Sequence, residues 1–349
     1  MNKSIEALVR PNILSLSPYS TARDEYKGPL GVFLDANESP YDSGWNRYPD
    51  PRQARLRERL ARIKGVDVDN LFLGNGSDEA IDLMFRIFCE PGRDNAVAIA
   101  PSYGMYKVSA AINDVEIREV PLREDFSLPA GDLLAACDPR TKLLFLCSPN
   151  NPSGNAFPRE ELLRVIGAFD GIVVVDEAYI DFSSVPSLVS EIASHPNLVV
   201  LQTCSKARGL AALRLGLAIS NPIIIRFMMM VKYPYNISEA TQRLALEALD
   251  SPIDGQVEEI VAQRSRLAAA LPTFGCVRKV HPSDANFLLV EVDDADALYS
   301  HLIADGIIVR NRNSVRGCKG CLRITVGLPE ENDKLLKSLE DYEKGDIRR

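Results

Sequence analysis

The sequence predicts an α/β protein with a large domain, built on a mostly parallel sheet flanked by helices, and a smaller α+β domain. The chain has 349 residues, more than a single hydrophobic core usually organises. In its first part short apolar runs alternate with helical patterns, as in a parallel α/β sheet, and this alternation then ends. We expect a large domain over 31–249, a small domain over 250–349, and an N-terminal segment over 1–30 that packs on the small domain or a partner subunit.

The strands of the large domain are predicted from apolar runs that are rich in β-branched residues and lack polar alternation. This pattern is typical of parallel strands whose two faces are both covered. The predicted strands are residues 96–100, 142–147, 171–175, 198–202 and 214–220. A helix is predicted over 78–89, because its apolar residues recur at the spacing of one helix face.

The second part of the chain predicts an α+β arrangement. The predicted helices are 258–270, 295–304 and 331–342, and the predicted strands are 286–292, 307–310 and 321–326. The apolar stretch 223–231 contains Arg226 and is too short to span a bilayer, so we interpret it as a buried or interfacial helix. The proline-punctuated segment 10–19 is too irregular to begin the sheet.

The composition argues against several classes of partner. Lys and Arg total 40 against 48 Asp and Glu, which gives a formal net charge of −8. We expect no nucleic-acid partner, because an acidic chain without a basic run binds phosphate backbones poorly. The first residues lack the apolar core of a secretory signal. We therefore expect a cytoplasmic protein with no membrane partner.

Seven cysteines are present, and Cys318 and Cys321 form a C-x-x-C pair. Such a pair is a redox motif or half of a metal site, but no second ligand pair accompanies it. The other cysteines lie mostly in apolar runs, as reduced core thiols do. We expect neither a metal site nor a disulfide.

Four segments carry side chains suited to chemistry. Lys206 follows a buried strand among small and hydroxyl residues, and a solvated surface lysine is the alternative. Asp176 ends another buried strand, at the sheet edge where ligands bind, and a helix cap is the alternative. Segment 148–154 is a turn-rich loop after a strand. Segment 74–79 precedes the predicted helix, whose N-terminus favours an anion but also needs a cap.

Together these segments resemble the fold-type I pyridoxal-phosphate aminotransferases. The family pattern is the order Asn-Pro-x-Gly, a strand with Asp-x-x-Tyr, Ser-Lys and then Arg. It is carried here by residues 151–154, 176–179, 205–206 and 214. Segments 34–40, 46–50 and 101–106 also match, so the resemblance covers most of the chain. Within the family, the sequence is most similar to the histidinol-phosphate aminotransferases.

The resemblance implies roles around the cofactor ring. Lys206 would bind pyridoxal phosphate as a Schiff base and then act as the base that moves a proton. Asp176 would pair with the pyridine nitrogen and so keep the ring an electron sink. Asn151 and Tyr179 would hydrogen-bond the phenolic oxygen of the ring, and Tyr103 would stack on its face.

The resemblance also places the cofactor phosphate at the N-terminus of the predicted helix 78–89. The implied contacts are Ser77, Asp78, Thr203, Ser205 and Arg214. Tyr48 would reach the same phosphate from the neighbouring subunit, which implies a homodimer with shared active sites.

The implied substrates are small molecules, L-histidinol phosphate and 2-oxoglutarate, with imidazole-acetol phosphate and L-glutamate as the reactants of the biosynthetic direction. Arg323 would bind the anionic group of both amino acids through a bidentate guanidinium. Tyr19 and Arg310 would hold the substrate phosphate, and Asn37 is also counted as substrate-binding. An ion pair at the protein surface is the alternative for both arginines.

Other functions remain open on the same scaffold. An aromatic amino-acid aminotransferase and a phospho-amino-acid decarboxylase both fit the motifs. A dehydrogenase or kinase does not, because neither G-x-G-x-x-G nor G-x-x-x-x-G-K-[ST] occurs. Arg208, Ala212 and Leu217 depart from the family pattern, and Arg208 adds a cation near Lys206.

Overall fold

The computed structural model describes residues 4–19 and 31–346, so residues 1–3 and 20–30 of the predicted N-terminal segment lie outside the described residues. The chain forms a seven-stranded and a four-stranded sheet, which confirms the predicted fold class. The larger sheet contains β1 (Leu71–Asn75), β2 (Asn95–Ala100), β3 (Glu116–Pro121), β4 (Thr141–Cys147), β5 (Ile172–Asp176), β6 (Leu198–Thr203) and β7 (Leu215–Ser220). The smaller sheet contains β8 (Val277–Val280), β9 (Phe287–Val292), β10 (Arg310–Asn311) and β11 (Cys321–Thr325).

Helices cover both faces of the larger sheet and one face of the smaller sheet. They are α1 (Pro11–Leu14), α2 (Ala54–Lys64), α3 (Ser77–Phe88), α4 (Met105–Ile112), α5 (Ala130–Ala135), α6 (Arg159–Ala168), α7 (Pro222–Val231), α8 (Glu239–Ala248), α9 (Asp254–Ala270), α10 (Ala295–Ala304) and α11 (Pro329–Asp346). Among the described residues, no helix combines the length and the apolar character that a membrane span requires.

The central strands are buried on both faces, which explains their continuous apolar sequences. Val173 and Val175 pack in a core with α2, α5 and α6. Val174 and Phe145 face the opposite way and pack with α3, α4 and α7. A strand without an exposed face has no position for alternating polar residues. The apolar runs therefore predicted these strands correctly.

The direction of β7 differs from the prediction. Residues 214–220 were expected to form a parallel strand, but β7 pairs antiparallel with both β6 and β1. Residues 204–214 connect β6 to β7 and contain only turns and one short 3-10 helix. A parallel return needs a longer crossover, usually with an α-helix. The short connection therefore forces the chain to reverse.

Two strands of the larger sheet are absent from the prediction. One is β3, whose residues include Glu116, Arg118 and Glu119. It pairs only with β2 at one edge of the sheet, and charged side chains protect edge strands from pairing with other chains. The other is β1, a run of five residues that forms the opposite edge. The sequence signal of an edge strand is weaker than that of a central strand.

The smaller sheet is antiparallel throughout, in the order β10-β11-β9-β8. The predicted strand at 307–310 is wrong, because β10 covers only Arg310–Asn311. Gly306 has a φ of 75°, and the Ile307 N–H donates to the Leu302 carbonyl to close α10. The Ile307 N–H is therefore used to end the helix and is not free to pair with a neighbouring strand.

The stretch predicted as a buried or interfacial helix is α7. Ile224, Ile225, Phe227 and Met228 are buried and pack in the core under the larger sheet. Four of the nine residues of this apolar stretch are therefore buried within the chain itself.

Candidate active site

A single cavity opens at the carboxyl ends of β5 and β6, the edge of a parallel sheet where ligands bind. It contains ten of the eleven residues predicted to bind the cofactor, namely Ser77, Asp78, Tyr103, Asn151, Asp176, Tyr179, Thr203, Ser205, Lys206 and Arg214. Gly76, Cys147 and Ala178 complete the lining. Residues that are far apart in the sequence thus meet in one cavity.

Lys206 lies in the tight turn that follows β6. The Gly209 N–H donates to the Lys206 carbonyl over 3.0 Å, and the Ser205 N–H donates to Oγ1 of Thr203 over 3.1 Å. The Lys206 amine lies 5.7 Å from the centre of the Tyr179 ring. Burial and the nearby Arg323 guanidinium lower the pKa of Lys206. A lowered pKa increases the neutral, nucleophilic form of the amine.

The effect of Arg208 at the cofactor lysine stays a prediction. Burial lowers the pKa of Lys206, and the charges of Arg323, from the smaller sheet, and Arg214 lower it further while that of Asp176 opposes them. The Arg208 charge acts on the neighbouring Cys204 thiol, whose pKa burial raises to about 11 against the effect of that charge.

Asp176 is the last residue of β5 and is 2% exposed. Its Oδ2 accepts a hydrogen bond of 2.8 Å from the Tyr106 hydroxyl, and its Oδ1 accepts one of 3.1 Å from the Ala178 N–H. Burial raises the pKa of Asp176 to about 6, although the hydrogen bond from Tyr106 opposes this shift. The site therefore holds a fixed carboxylate that a cation in the cavity would stabilise.

The N-terminus of α3 forms a cradle with the chain that enters β7. The Gly76 N–H donates to the Arg214 carbonyl over 2.6 Å, and Arg214 Nη2 lies 3.4 Å from Oδ2 of Asp78. A Cβ atom on Gly216 would lie 2.1 Å from the Ser77 backbone nitrogen. Only glycine permits this approach of two backbones. The free N–H groups of α3 and the Arg214 guanidinium favour an anion there.

Asn151 links the cavity to the smaller sheet. Its Nδ2 donates to the Tyr179 hydroxyl over 3.4 Å, and its Oδ1 accepts a 2.5 Å hydrogen bond from Nη1 of Arg323. The Arg323 guanidinium also lies over the Phe287 ring, 5.2 Å from its centre. These contacts position Arg323 beside the residues from the larger sheet.

Five predicted residues lie outside the cavity of a single chain. One of them, Arg323, contacts Asn151 of the cavity wall, and the other four lie farther away. Tyr48 is half exposed and stacks on Tyr235 with ring centres 4.4 Å apart. Asn37 lines the same groove as Tyr48, whereas Tyr19 is 74% exposed in a separate groove beside α7. Arg310 is exposed on β10. The chain alone does not bring these four side chains to the cofactor residues.

Comparison with known proteins identifies the family. The sequence profile of aminotransferase class I and II matches residues 14–339, which is most of the chain. This chain belongs to that family. The predictions of an aminotransferase with the fold-type I architecture and pyridoxal phosphate as cofactor are therefore confirmed.

Several known aminotransferases are similar over nearly the full length. The histidinol-phosphate aminotransferase of Parabacteroides distasonis is 54% identical, covering 97% of this chain and 99% of the relative. That of Bacteroides fragilis is 53% identical, covering 98% and 100%. The solved histidinol-phosphate aminotransferase of Sinorhizobium meliloti, in complex with pyridoxal-5'-phosphate, is 26% identical with a TM-score of 0.77. It covers 84% of this chain and 82% of that chain.

Two residues around this cavity and one on the smaller sheet were given no role from the sequence. Tyr106 lies in a segment that matched the family. Its contact with Asp176 depends on how α4 packs on β4, and no sequence motif indicates that packing. Gly216 was seen only as the neighbour of Arg214. Arg312 follows Arg310 by two residues, a spacing that places both side chains on one face of a strand. That spacing was the available signal for Arg312.

Proposed function

We propose that this protein transfers an amino group between L-histidinol phosphate and 2-oxoglutarate in histidine biosynthesis. In the biosynthetic direction the reactants are imidazole-acetol phosphate and L-glutamate. The observation that carries the proposal is the convergence, in one cavity, of the Lys206 amine, the buried Asp176 carboxylate and an anion cradle at Ser77. The substrate follows from relatives of that name at 44–54% identity.

The cavity residues fit pyridoxal phosphate. The chain carries a net charge of −8, so a bound phosphate needs local donors against the overall field. The start of α3 supplies N–H groups, and Arg214 and Ser205 supply side-chain donors. The glycines at 76 and 216 leave this cradle free of Cβ atoms that would collide with Arg214 and Ser77. The donor set and its shape both suit a phosphate.

The cofactor, when bound, supplies the electron sink for the electrons of the substrate Cα–H bond. Asp176 would keep the ring nitrogen protonated, because a buried carboxylate strongly favours a cation beside it. Lys206 would hold the cofactor covalently in the resting enzyme. Once released by the substrate, its amine would carry the proton away from the substrate Cα. The lowered pKa of Lys206 suits this base role.

The remaining cavity residues would position the ring. Tyr103 donates to Oδ1 of Asp78 over 3.0 Å, which fixes the phenol at the cavity wall, and its ring would stack on the cofactor. Asn151 and Tyr179 would hydrogen-bond the ring's phenolic oxygen. Burial raises the pKa of Tyr179, so its hydroxyl remains a neutral donor at neutral pH. Thr203 would contact the phosphate from the end of β6.

For the substrate, Arg323 would bind the anionic group of either amino substrate, the phosphate of L-histidinol phosphate or a carboxylate of L-glutamate. Its guanidinium is held by Asn151 and Phe287, so little side-chain freedom would be lost on binding. Arg310, Tyr19 and Asn37 would complete the substrate site in the assembled enzyme.

We also infer a homodimer with shared sites, in the cytoplasm. Tyr48 would reach the cofactor phosphate of the partner subunit. Its half-exposed ring, held by stacking on Tyr235, is available for such a contact. The same arrangement would explain why Tyr19 and Asn37 lie outside the chain's own cavity.

Substrate profiling tests the proposal. The holoenzyme is supplied with 2-oxoglutarate and one of three amines, L-histidinol phosphate, L-histidinol or L-phenylalanine, and glutamate formation is measured. We expect the highest kcat/KM for the phosphate ester and ping-pong kinetics. Higher kcat/KM for L-phenylalanine would make the enzyme an aromatic aminotransferase. Release of carbon dioxide from a phospho-amino acid without an oxo acid would make it a decarboxylase.

A further inference from the structure

Three arginines share one face of the smaller sheet. Arg310 on β10 lies directly opposite Arg323 on β11, so both side chains point to the same side. The Arg312 N–H donates to the Cys321 carbonyl over 2.9 Å, which continues the pairing beyond β10. Because side chains alternate along a strand, Arg312 lies on the face of Arg310.

This face is turned towards the larger sheet. Leu289 lies opposite Arg323 in the pairing of β9 with β11. Leu289 and Cys321 pack in the core that contains Val173 and Val175 of β5. The other face of the smaller sheet, represented by Leu322, packs on α9, α10 and α11. The three guanidinium groups therefore lie on the side of the active-site cavity.

No carboxylate balances these charges among the residues that the structure describes. After burial, the charges that lower the pKa of Arg312 are those of Arg323 and Arg310, and the Arg310 charge also lowers the pKa of Arg323. The Nε atoms of Arg312 and Arg323 are buried without a hydrogen-bond partner. Like charges on opposite strands are destabilising, and unpaired buried donors add to the cost. An anion bound between these guanidinium groups would offset both costs.

We propose that Arg312 is a third guanidinium of the substrate site and that it distinguishes a phosphate ester from a carboxylate. The inference rests on the proposed function, because it concerns the two amino substrates of that reaction. Burial raises the pKa of the Tyr179 hydroxyl, and the charges of Arg323 and Arg312 oppose that shift. Arg312 thus lies within electrostatic reach of the cavity wall.

The chemistry of the two anions explains the selectivity. A phosphate monoester carries about −1.5 to −2 charges at pH 7 and three acceptor oxygens. A carboxylate carries one charge and two oxygens, which one bidentate guanidinium satisfies. Arg323 serves both substrates. The additional phosphate oxygen and charge are bound by Arg310 and Arg312, so the removal of Arg312 weakens phosphate binding selectively.

The test compares the two half-reactions in single turnovers. Arg312→Gln holoenzyme is mixed with L-histidinol phosphate or with L-glutamate, and the apparent Kd of each is obtained from the change in cofactor absorbance. We expect the Kd of the phosphate ester to rise about 10- to 100-fold, as for the loss of a charged hydrogen-bond partner. The Kd of L-glutamate should stay within about threefold.

Inorganic phosphate provides a binding measurement that does not depend on turnover. Its competition with L-glutamate should weaken in Arg312→Gln by a factor similar to that for the substrate. Arg312→Lys keeps the charge and tests whether the planar fork matters; we expect an intermediate Kd for the phosphate ester. Arg316→Gln is the matched control, because Arg316 is exposed in the same segment and loses the same charge. We expect no change in either Kd.

The outcomes separate this inference from the proposed function. Equal loss of affinity for both substrates in Arg312→Gln, or no loss for either, would overturn the role of Arg312 alone. A wild-type enzyme that binds L-histidinol as tightly as its phosphate ester would overturn the proposed function, and this inference with it.

Discussion

The Tyr106 hydroxyl donates a 2.8 Å hydrogen bond to the carboxylate of Asp176, and both residues are 2% exposed. The Tyr106 ring stacks on Phe145 of β4, with ring centres 4.9 Å apart. The donor is therefore fixed by the core of the larger sheet. This geometry links the packing of α4 to the ionisation of the carboxylate that would pair with the cofactor ring.

Replacing Tyr106 with Phe should make Asp176 harder to ionise. The hydrogen bond from Tyr106 lowers the pKa of Asp176 against the effect of burial. A hydrogen bond to a charged group contributes about 1.5–3 kcal/mol, which corresponds to about one to two pKa units. As the pH is lowered, Asp176 should therefore become protonated at a higher pH in Tyr106→Phe than in the wild type. The affinity of the apoprotein for the cofactor should fall at that higher pH. Titrating affinity against pH measures the shift.

Tyr299→Phe is the control for this titration, because Tyr299 packs in the small-domain core away from the cavity. Coinciding pH profiles for Tyr106→Phe and wild type would show that Tyr106 does not control the ionisation of Asp176.

Asp176→Asn should stabilise the apoprotein while it impairs transamination. Folding raises the pKa of Asp176 from 3.8 to about 6, so the folded state favours the protonated form. The apoprotein accordingly loses stability as the pH rises from about 4 to about 6, by about 3 kcal/mol in total. Asn has the same shape and no charge, so it avoids this loss. Unfolding temperatures of both apoproteins at pH 8 and pH 4 measure the effect.

We expect Asp176→Asn to unfold at a higher temperature than wild type at pH 8 and at a similar temperature at pH 4. If Asp176→Asn unfolds at pH 8 at the same temperature as the wild type or at a lower one, the burial of the Asp176 carboxylate does not destabilise the apoprotein.

Adding one methyl group at position 216 should disrupt the phosphate cradle. The new Cβ of Gly216→Ala would lie 2.1 Å from the Ser77 nitrogen and 2.2 Å from the Gly76 carbonyl carbon, so β7 and the start of α3 must separate. We expect cofactor affinity to fall at least about tenfold, from the loss of one or more charged hydrogen bonds. Titration of the apoprotein with pyridoxal phosphate measures it.

Gly167→Ala is the matched control for this change. Gly167 is exposed in α6 with no atom within 4 Å of a new Cβ, and Ala stabilises a helix interior by up to about 1 kcal/mol. Its cofactor affinity should equal that of the wild type and its unfolding temperature should rise slightly. Unchanged affinity in Gly216→Ala would place the phosphate elsewhere.

Mixing two inactive variants should restore activity if the sites are shared between subunits. A hybrid of Lys206→Ala and Tyr48→Ala carries both defects in one site and neither in the other, because Tyr48 serves the partner's site. Random mixing makes about half of the dimers hybrids, so about a quarter of the sites should be intact. Activity after unfolding and refolding the mixture together is the measurement. Activity equal to the average of the two parents would contradict the shared site.

The sequence predicted those features that depend on local pattern. The central strands carry continuous apolar runs because they are covered on both faces, as at Val173 to Val175. The edge strand β3 carries charges, β1 is a run of only five residues, and the direction of β7 depends on the short connection before it. Apolar runs alone therefore do not predict β1, β3 or the reversal of β7.

The site residues divide in a similar way. Lys206 and Asp176 were predicted from motifs at strand ends, and the strand ends meet because the strands are neighbours in the sheet. Tyr106 and Arg312 act through packing and strand pairing, which have no motif of their own. Tyr19, Asn37 and Tyr48 have roles that depend on a second subunit, and for them the resemblance stays a prediction.

The most direct test of the account is a single-turnover absorption measurement on the purified holoenzyme. L-histidinol phosphate is added without any oxo acid, and the visible band of the lysine-bound cofactor is followed, with Lys206→Ala as the control. We predict that the band disappears at a rate consistent with turnover and returns when 2-oxoglutarate is added, whereas Lys206→Ala shows neither change. A wild-type band that persists in the presence of the phosphate ester would contradict the assignment of this cavity and of Lys206 to amino-group transfer.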